Sequence, residues 1–149
     1  VPGDGENLFA PLHSGDFAKA FIGLIGNKKT IGEDYHIAAE KLITLNEMAM
    51  DILLALDLNP ENILHIPYAE AMRITGFYSS IVNRQHMWHY VYDNTKIKNV
   101  VFEWNQEISF AEGIRETTSW LFADTKRQRI NPDYDRKLES IYARYWTGN

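Results

Sequence analysis

The sequence has 149 residues, 45% of them hydrophobic and 13% aromatic, which suits one domain, or part of a larger one, and excludes a disordered chain. The net charge of −5 argues against nucleic acid as a partner, because phosphate binding needs a basic surface, and the lack of cysteine excludes disulfides and thiolate zinc sites. No apolar run approaches the roughly 18 residues of a membrane span and no signal peptide is visible, so we expect no membrane partner and a cytoplasmic location.

The first forty residues predict a turn, a strand, a helix and a second strand. A glycine turn, Gly3-Asp4-Gly5, leads into the apolar run 8–12, and a second strand-like run follows at 35–38. Ser14 is expected to cap the helix between them, and Asp16 places a negative charge at the positive end of the helix dipole. The apolar residues of this helix recur at the spacing of a single face, and they are Phe17, Ala20, Phe21, Leu24 and Ile25.

The middle of the chain predicts two helices with a strand between them. Thr44 and the glutamate three residues later form a capping box, which opens a helix over roughly 45–57. The short apolar run 63–66 predicts a strand, and apolar spacing predicts a further helix over 68–83.

The segment 84–92 combines aromatic and polar side chains, a composition that suits the wall of a binding cleft. His86 and His89 lie three residues apart in it, but no acidic residue at ligand spacing accompanies them, so a metal site is not favoured. A hydrolase that uses these two histidines or His65 stays open as an alternative, although a surface or hydrogen-bonded histidine is the commoner situation.

Three helical segments are predicted toward the C-terminus. Asp93 or Asn94 can cap a single helical turn, and a second capping box, which begins at Ser109, opens a helix through about Phe122. Asn131 is followed by proline, a pair typical of a capped helix start, so a last helix is expected after it.

The sequence contains few motifs that carry chemistry. It has no Gly-rich phosphate loop, no Gly-x-Ser-x-Gly nucleophile turn and no cluster of metal ligands. Val1 is not a start methionine and is followed by a turn, so we expect the chain to be a fragment or a processed product. The residues alone therefore indicate a mixed helix-and-strand globular piece with an aromatic segment at 84–92.

A series of motifs with little individual specificity follows in a fixed order. They are Pro-Gly-Asp-Gly at 2–5, His-Ser-Gly-Asp-Phe-Ala-Lys-Ala at 13–20, Ile-Gly-Glu-Asp-Tyr-His-Ile at 31–37, Leu-Ile-Thr-Leu-Asn-Glu at 42–47, Asp-Asn-Thr-Lys-Ile at 93–97 and Phe-Ala-Glu-Gly-Ile-Arg-Glu-Thr at 110–117. Taken together they resemble the C-terminal half of the NAD-dependent epimerase/dehydratase family, the extended short-chain dehydrogenases/reductases. The resemblance extends to about Phe122.

The resemblance implies a helix-rich α/β fold, the C-terminal part of a Rossmann-type reductase, with four or five helices and two or three short strands. It implies that the full protein uses NAD or NADP on a sugar-like carbonyl substrate. The family's glycine fingerprint is absent from this sequence, and its catalytic Tyr-x-x-x-Lys pair is expected to lie upstream of Val1. The chain alone is therefore expected to bind no cofactor and to be inactive. Residues 1–149 would then form one substrate-binding region, of which 1–40 packs on the missing dinucleotide-binding domain.

Two substrate-binding residues follow from the resemblance. Arg84 lies about where a family arginine contacts the substrate pyrophosphate, and its guanidinium can donate two parallel hydrogen bonds. Phe9 could stack on a ring of the substrate. The arginine that contacts the nucleotide in the family's sugar-nucleotide epimerases is missing from the region 8–12, so it stays open whether the substrate is the usual nucleotide sugar. His13 and Asp16 are expected to fix the strand-to-helix turn, and no residue is predicted to be catalytic.

A different class of function stays open beside this one: a stand-alone binding or scaffolding module with the same architecture and no chemistry. Under both functions, the face of the first helix that carries Phe17, Phe21 and Leu24 is expected to lie uncovered when no partner domain is present. We therefore expect the chain to self-associate as a homo-oligomer.

Overall fold

The computed structural model describes residues 1–75 and 88–146, which form six helices and one small sheet. The helices in chain order are α1 Ser14–Leu24, α2 Leu45–Ala55, α3 Tyr68–Thr75, α4 Thr95–Lys98, α5 Phe110–Phe122 and α6 Pro132–Tyr145. The strands β1 Leu8–Phe9 and β2 Ile43–Thr44 pair antiparallel. This is the helix-rich α/β arrangement predicted above, with the single turn α4 as the sixth helix. No helix in the described ranges is long and apolar enough to cross a membrane.

Side-chain caps determine where the later helices begin. Both predicted capping boxes are confirmed: Thr44 and Glu47 bond reciprocally at α2, and Ser109 and Glu112 do so at α5. Asn131 accepts hydrogen bonds from two first-turn N–H groups of α6, as its sequence position predicts. Each of these caps satisfies backbone donors that the helix itself leaves unpaired.

The cap of α1 corrects the prediction made for Ser14. His13 precedes the helix, and its Nδ1 accepts the backbone N–H of Gly15 at 3.2 Å. Ser14 is already the first helical residue, and its side chain is exposed. An unprotonated ring nitrogen is an adequate acceptor for this bond, so the imidazole serves in place of the hydroxyl.

The two other predicted strands are wrong within the described residues. Segment 35–38 does not join the sheet, because both backbone groups of Ala38 bond to the side chain of Asn94. The run 63–66 contributes one parallel bridge, between Pro2 and Ile66. The helix predicted over 68–83 is present as α3, and the rest of that range lies outside the described residues.

The core lies where α1, α4 and the residues before α5 meet. Ala20 and Ile97 are fully buried and Trp104 is 3% exposed. α1 approaches its neighbours closely here, because Gly23 leaves no room for a Cβ beside the side chain of Val101. The packing of this region therefore depends on a helix that presents small residues inward.

The faces of α1 differ from a simple apolar stripe. Phe17 and Phe21 are 44% and 50% exposed, and their rings stack on each other at 5.9 Å. The expectation of an uncovered face is confirmed for these two residues and is wrong for Leu24, which packs on the core. Asp16, Ala20 and Leu24 are spaced four residues apart, so they share the inward side of the helix.

Candidate functional site

β1 positions Phe9, the first of the predicted substrate-binding residues. On one side, Phe9 lies opposite Ile43 of β2 in the antiparallel pair. On the other side, the N–H of Tyr90 donates to the carbonyl of Leu8 at 2.7 Å, and the N–H of Leu8 donates to Nδ1 of His89 at 3.0 Å. A strand of two residues is thus held from both edges, which fixes the direction of the Phe9 side chain.

A row of aromatic rings begins at Phe9. Its ring lies almost parallel to that of Tyr90, with centroids 5.6 Å apart and planes 10° from parallel. The ring of Tyr92 follows at 6.2 Å from that of Tyr90, and it makes a T-shaped contact with the imidazole of His36, with centroids 5.1 Å apart. We call these four residues the aromatic row. Such rings offer flat apolar faces together with polar tips, which suits contact with a planar or ring-shaped ligand.

A groove of about 590 Å³ lies at the His36 end of the aromatic row. Its volume falls in the range that small-molecule ligands occupy in proteins. The connection from β1 to α1 forms one wall, and the 35–38 segment together with Tyr92 forms the other. The groove is mainly apolar, with a few polar groups, and its walls include Leu12, Ser14, Phe17, Tyr35, His36 and Tyr92.

Charged contacts fasten the outer rim of this groove. Lys96 pairs with Glu33 at 2.7 Å and also lies over the ring of Tyr35, 5.0 Å from its centroid. The hydrogen bond from Lys96 lowers the pKa of Glu33, and the same bond raises the pKa of Lys96. Hydrogen bonds from the hydroxyl and N–H of Thr95 lower the pKa of Asp93. These contacts therefore favour the charged forms of all three groups.

A buried carboxylate lies outside the groove, at the first turn of α1. Oδ2 of Asp16 accepts the N–H groups of Glu107 and Ile108 at 3.0 and 2.8 Å, and Lys19 Nζ lies 3.5 Å from Oδ1. Burial raises the pKa of Asp16, but the two N–H groups and Lys19 outweigh it and hold that pKa below its ordinary value. The backbone carbonyl of Asp16 also accepts Nε1–H of Trp104 at 2.9 Å. Asp16 thus joins α1 to the start of α5.

His13 makes a second junction between the same two helices. Besides capping α1, its Nε2 lies 3.4 Å from the carboxylate of Glu116 on α5. Gly113 faces the imidazole so closely that an added Cβ would lie 3.0 Å from Cδ2. His13 and Asp16 therefore make structural contacts, as expected, but these contacts join helix to helix as well as strand to helix.

His65 and His89 do not line the groove. Arg84 and His86 lie outside the described residues. His65 bonds to the side chain of Asn46 at 2.8 Å, and His89 holds β1, so each of these imidazoles has a local structural partner. Across 1–75 and 88–146, no three or more histidine, aspartate or glutamate side chains are grouped to hold a metal ion.

His36 is the groove residue that the sequence did not single out. It falls within the motif 31–37 and is a polar residue in an otherwise apolar run, which was the available signal. Its contact with Tyr92 spans 56 positions of sequence, so no local pattern indicates it. By contrast, Tyr92 belongs to the segment 84–92 that composition had indicated as a cleft wall.

A second cleft, of about 630 Å³, lies between α2 and α6. Its walls are almost entirely apolar, as in Ile52, Leu53, Leu138 and Tyr142. Ligand recognition needs a few polar groups to fix orientation, and the groove beside the aromatic row has them. We therefore place the candidate site at the groove, although the second cleft has the larger volume.

The Gly3-Asp4-Gly5 turn is the one Gly-x-Gly in the sequence, a spacing that also occurs in phosphate-binding turns. Gly5 is buried with a φ of +76°, and a Cβ there would overlap the side chain of Asn46. Nδ2 of Asn46 donates to the carbonyl of Asp4 at 2.8 Å, which keeps the amide in that space. The turn therefore does not have the open backbone that a dinucleotide phosphate needs.

Comparison with known proteins agrees with this architecture. The chain is 27% identical over 120 residues to a trifunctional UDP-glucose 4,6-dehydratase/UDP-4-keto-6-deoxy-D-glucose 3,5-epimerase/UDP-4-keto-L-rhamnose-reductase of Arabidopsis thaliana. It is similar in structure to a dTDP-glucose 4,6-dehydratase from Bacillus anthracis, solved in complex with NAD, with a TM-score of 0.62 and 23% identity. The resemblance to the NAD-dependent epimerase/dehydratase family is confirmed. No family model matches the chain.

Both likenesses cover most of this chain and a smaller share of the other protein. The match takes in 80% of this chain and 16% of the Arabidopsis protein, and 85% of this chain and 36% of the dehydratase structure. The chain thus has the fold of one portion of a Rossmann-type dehydratase.

Proposed function

We propose that this chain is the substrate-recognition portion of a longer NAD-dependent dehydratase or epimerase that acts on a nucleotide sugar. The observation that carries the proposal is the likeness, over 80% and 85% of the chain, to two proteins whose names specify UDP- or dTDP-linked glucose chemistry. The groove beside the aromatic row supports it, because a nucleotide sugar needs flat apolar contacts for its rings and polar groups for its hydroxyls.

Two residues take the main binding roles in this proposal. Phe9 lies outside the groove walls and stacks on Tyr90 at the far end of the aromatic row, so its role would be to contact a ring of a ligand that extends along the row. Arg84 binds the pyrophosphate through its guanidinium fork. Neither role involves bond breaking, so the chain carries recognition without catalysis.

The chemistry would then belong to a dinucleotide-binding domain that supplies NAD or NADP and the Tyr-x-x-x-Lys pair. We propose that residues 1–40 pack on that domain. The exposed phenylalanines of α1 support this, and so do Ile22 and Ile25, each 67% exposed. Without the domain the chain is inactive. Self-association and a cytoplasmic location remain predictions.

Calorimetric titration of the chain with UDP-glucose and with glucose 1-phosphate tests the proposal. We expect the nucleotide sugar to bind more tightly, and Phe9→Leu and Arg84→Lys each to weaken binding by about tenfold, since each removes one oriented contact. Phe102→Leu and Arg129→Lys are matched controls on exposed residues and should leave the affinity unchanged. Equal affinity for both ligands, or no effect of either site variant, would favour the binding-module alternative.

A further inference from the structure

Asn94 makes an unusual pair of contacts beside the groove. Its Oδ1 accepts the N–H of Ala38 at 3.1 Å, and its Nδ2 donates to the carbonyl of the same residue at 2.8 Å. One carboxamide therefore satisfies both backbone groups of Ala38, which is 7% exposed. A neighbouring strand would make the same two bonds in a ladder, so the side chain of Asn94 takes the place of a partner strand for the 35–38 segment.

The position of Asn94 before α4 would ordinarily give its side chain another role. Residues at this position cap the helix, yet Asn94 makes no cap bond. Oδ1 of Asp93 accepts the N–H of Thr95 at 2.8 Å instead. Asp93 therefore caps the start of α4, and the side chain of Asn94 is available to bind the 35–38 segment.

α4 gives Asn94 a fixed base. Ile97, one turn further along, is fully buried in the core beside Ala20 and Trp104. Ala38 is thus bonded to an element that cannot shift without disturbing the core. The adjacent Ala39 is 2% exposed and donates its N–H to the carbonyl of Ala10, so this end of the segment is held on two sides.

Two aromatic rings of the candidate site depend on this register. His36 lies two residues before Ala38, Tyr92 lies two residues before Asn94, and their rings meet at 5.1 Å. Each ring is only two residues away from the Ala38–Asn94 hydrogen bonds, so the ring contact depends on how these two residues are aligned. A slip of Ala38 against Asn94 would therefore separate the imidazole from the phenol.

We propose that Asn94 is a positioning residue for the groove: its carboxamide, bonded to both backbone groups of Ala38, holds the 35–38 segment in the register that brings the His36 ring against the Tyr92 ring. Asn94 itself touches no ligand and acts through these two residues. The role in ligand binding rests on the proposed function, but the role in setting the ring contact does not.

Nuclear magnetic resonance on the 149-residue chain tests this, with Asn94→Ala and Asn94→Asp as variants. Cross-peaks between the His36 and Tyr92 rings report the register, and the indole N–H signal of buried Trp104 reports that the core is folded. Asn94→Asp keeps the acceptor for the Ala38 N–H and loses the donor, so it covers the case in which the alanine variant does not fold. Asn99→Ala, at the exposed far end of α4, is the matched control.

We expect the ring cross-peaks to disappear in Asn94→Ala, to weaken in Asn94→Asp and to persist in Asn99→Ala, while the Trp104 signal stays in place. UDP-glucose should bind Asn94→Ala about tenfold more weakly than the unsubstituted chain. Ring cross-peaks that persist in a folded Asn94 variant would overturn the proposal. They would show that Asn94 contributes to stability without setting the His36–Tyr92 ring contact. If the cross-peaks vanish but the unsubstituted chain binds no UDP-glucose, the positioning role stands and the proposed function fails.

Discussion

The two sides of α1 are built on opposite principles. The inward side places a charged residue, Asp16, in the interior, where two backbone N–H groups and a lysine surround its carboxylate. The outward side leaves the apolar rings of Phe17 and Phe21 about half exposed to solvent. The difference shows that apolar character alone does not decide which side of this helix is buried. Buried hydrogen bonds fix the inner side, while the outer side leaves apolar rings exposed, which is consistent with the partner surface proposed above.

The largest expected effect comes from Asp16→Ala. It leaves the N–H groups of Glu107 and Ile108 without their acceptor at a buried junction, so we expect a loss of roughly 3–5 kcal/mol in the free energy of unfolding. Urea denaturation followed by circular dichroism measures it. Asp34→Ala, on an exposed aspartate, should change stability by no more than about 0.5 kcal/mol.

Acid unfolding sharpens the same test. A carboxyl whose pKa is lowered by folding stabilises the protein above its unfolded pKa of about 3.9, and this contribution is lost as the pH falls through the folded pKa. The stability difference between the unsubstituted chain and Asp16→Asn should therefore shrink as the pH is lowered below about 4. A difference that stayed constant down to pH 2 would contradict a charged Asp16 in the folded chain.

The glycine turn before β1 gives an intermediate effect of the same kind. Gly5→Ala should cost about 2–3 kcal/mol, because its positive φ is unfavourable for alanine and the new Cβ would displace the Asn46 amide. Gly26→Ala is the matched control: its φ is +78° but nothing lies within 4 Å, so we expect about 1 kcal/mol. Thermal unfolding separates the two, and equal losses would show that strain alone, without the Asn46 contact, determines the cost.

Sequence reasoning worked where the physical cause was local. The capping boxes at Thr44 and Ser109 were predicted correctly, because a cap and its partner lie three residues apart. The strand at 35–38 was wrong, because the group that satisfies Ala38 is a side chain 56 residues away. The His36–Tyr92 contact was not predicted, because these residues are also far apart in the sequence. Phe9 was predicted only from the family resemblance.

The smallest effect on stability is expected on the outer side of α1. Phe17→Ser with Phe21→Ser should change the unfolding free energy by about 1–2 kcal/mol in total, since each ring is about half exposed and the two rings stack on each other. The same double variant should reduce self-association, measured by sedimentation velocity. Ala20→Val, on the inner side, is the contrasting variant: it overfills the core, so it should cost roughly 1–3 kcal/mol and leave self-association unchanged. If the unsubstituted chain is monomeric, the assignment of the outer side of α1 to self-association is wrong. The exposed rings of Phe17 and Phe21 would then be expected to contact a different partner.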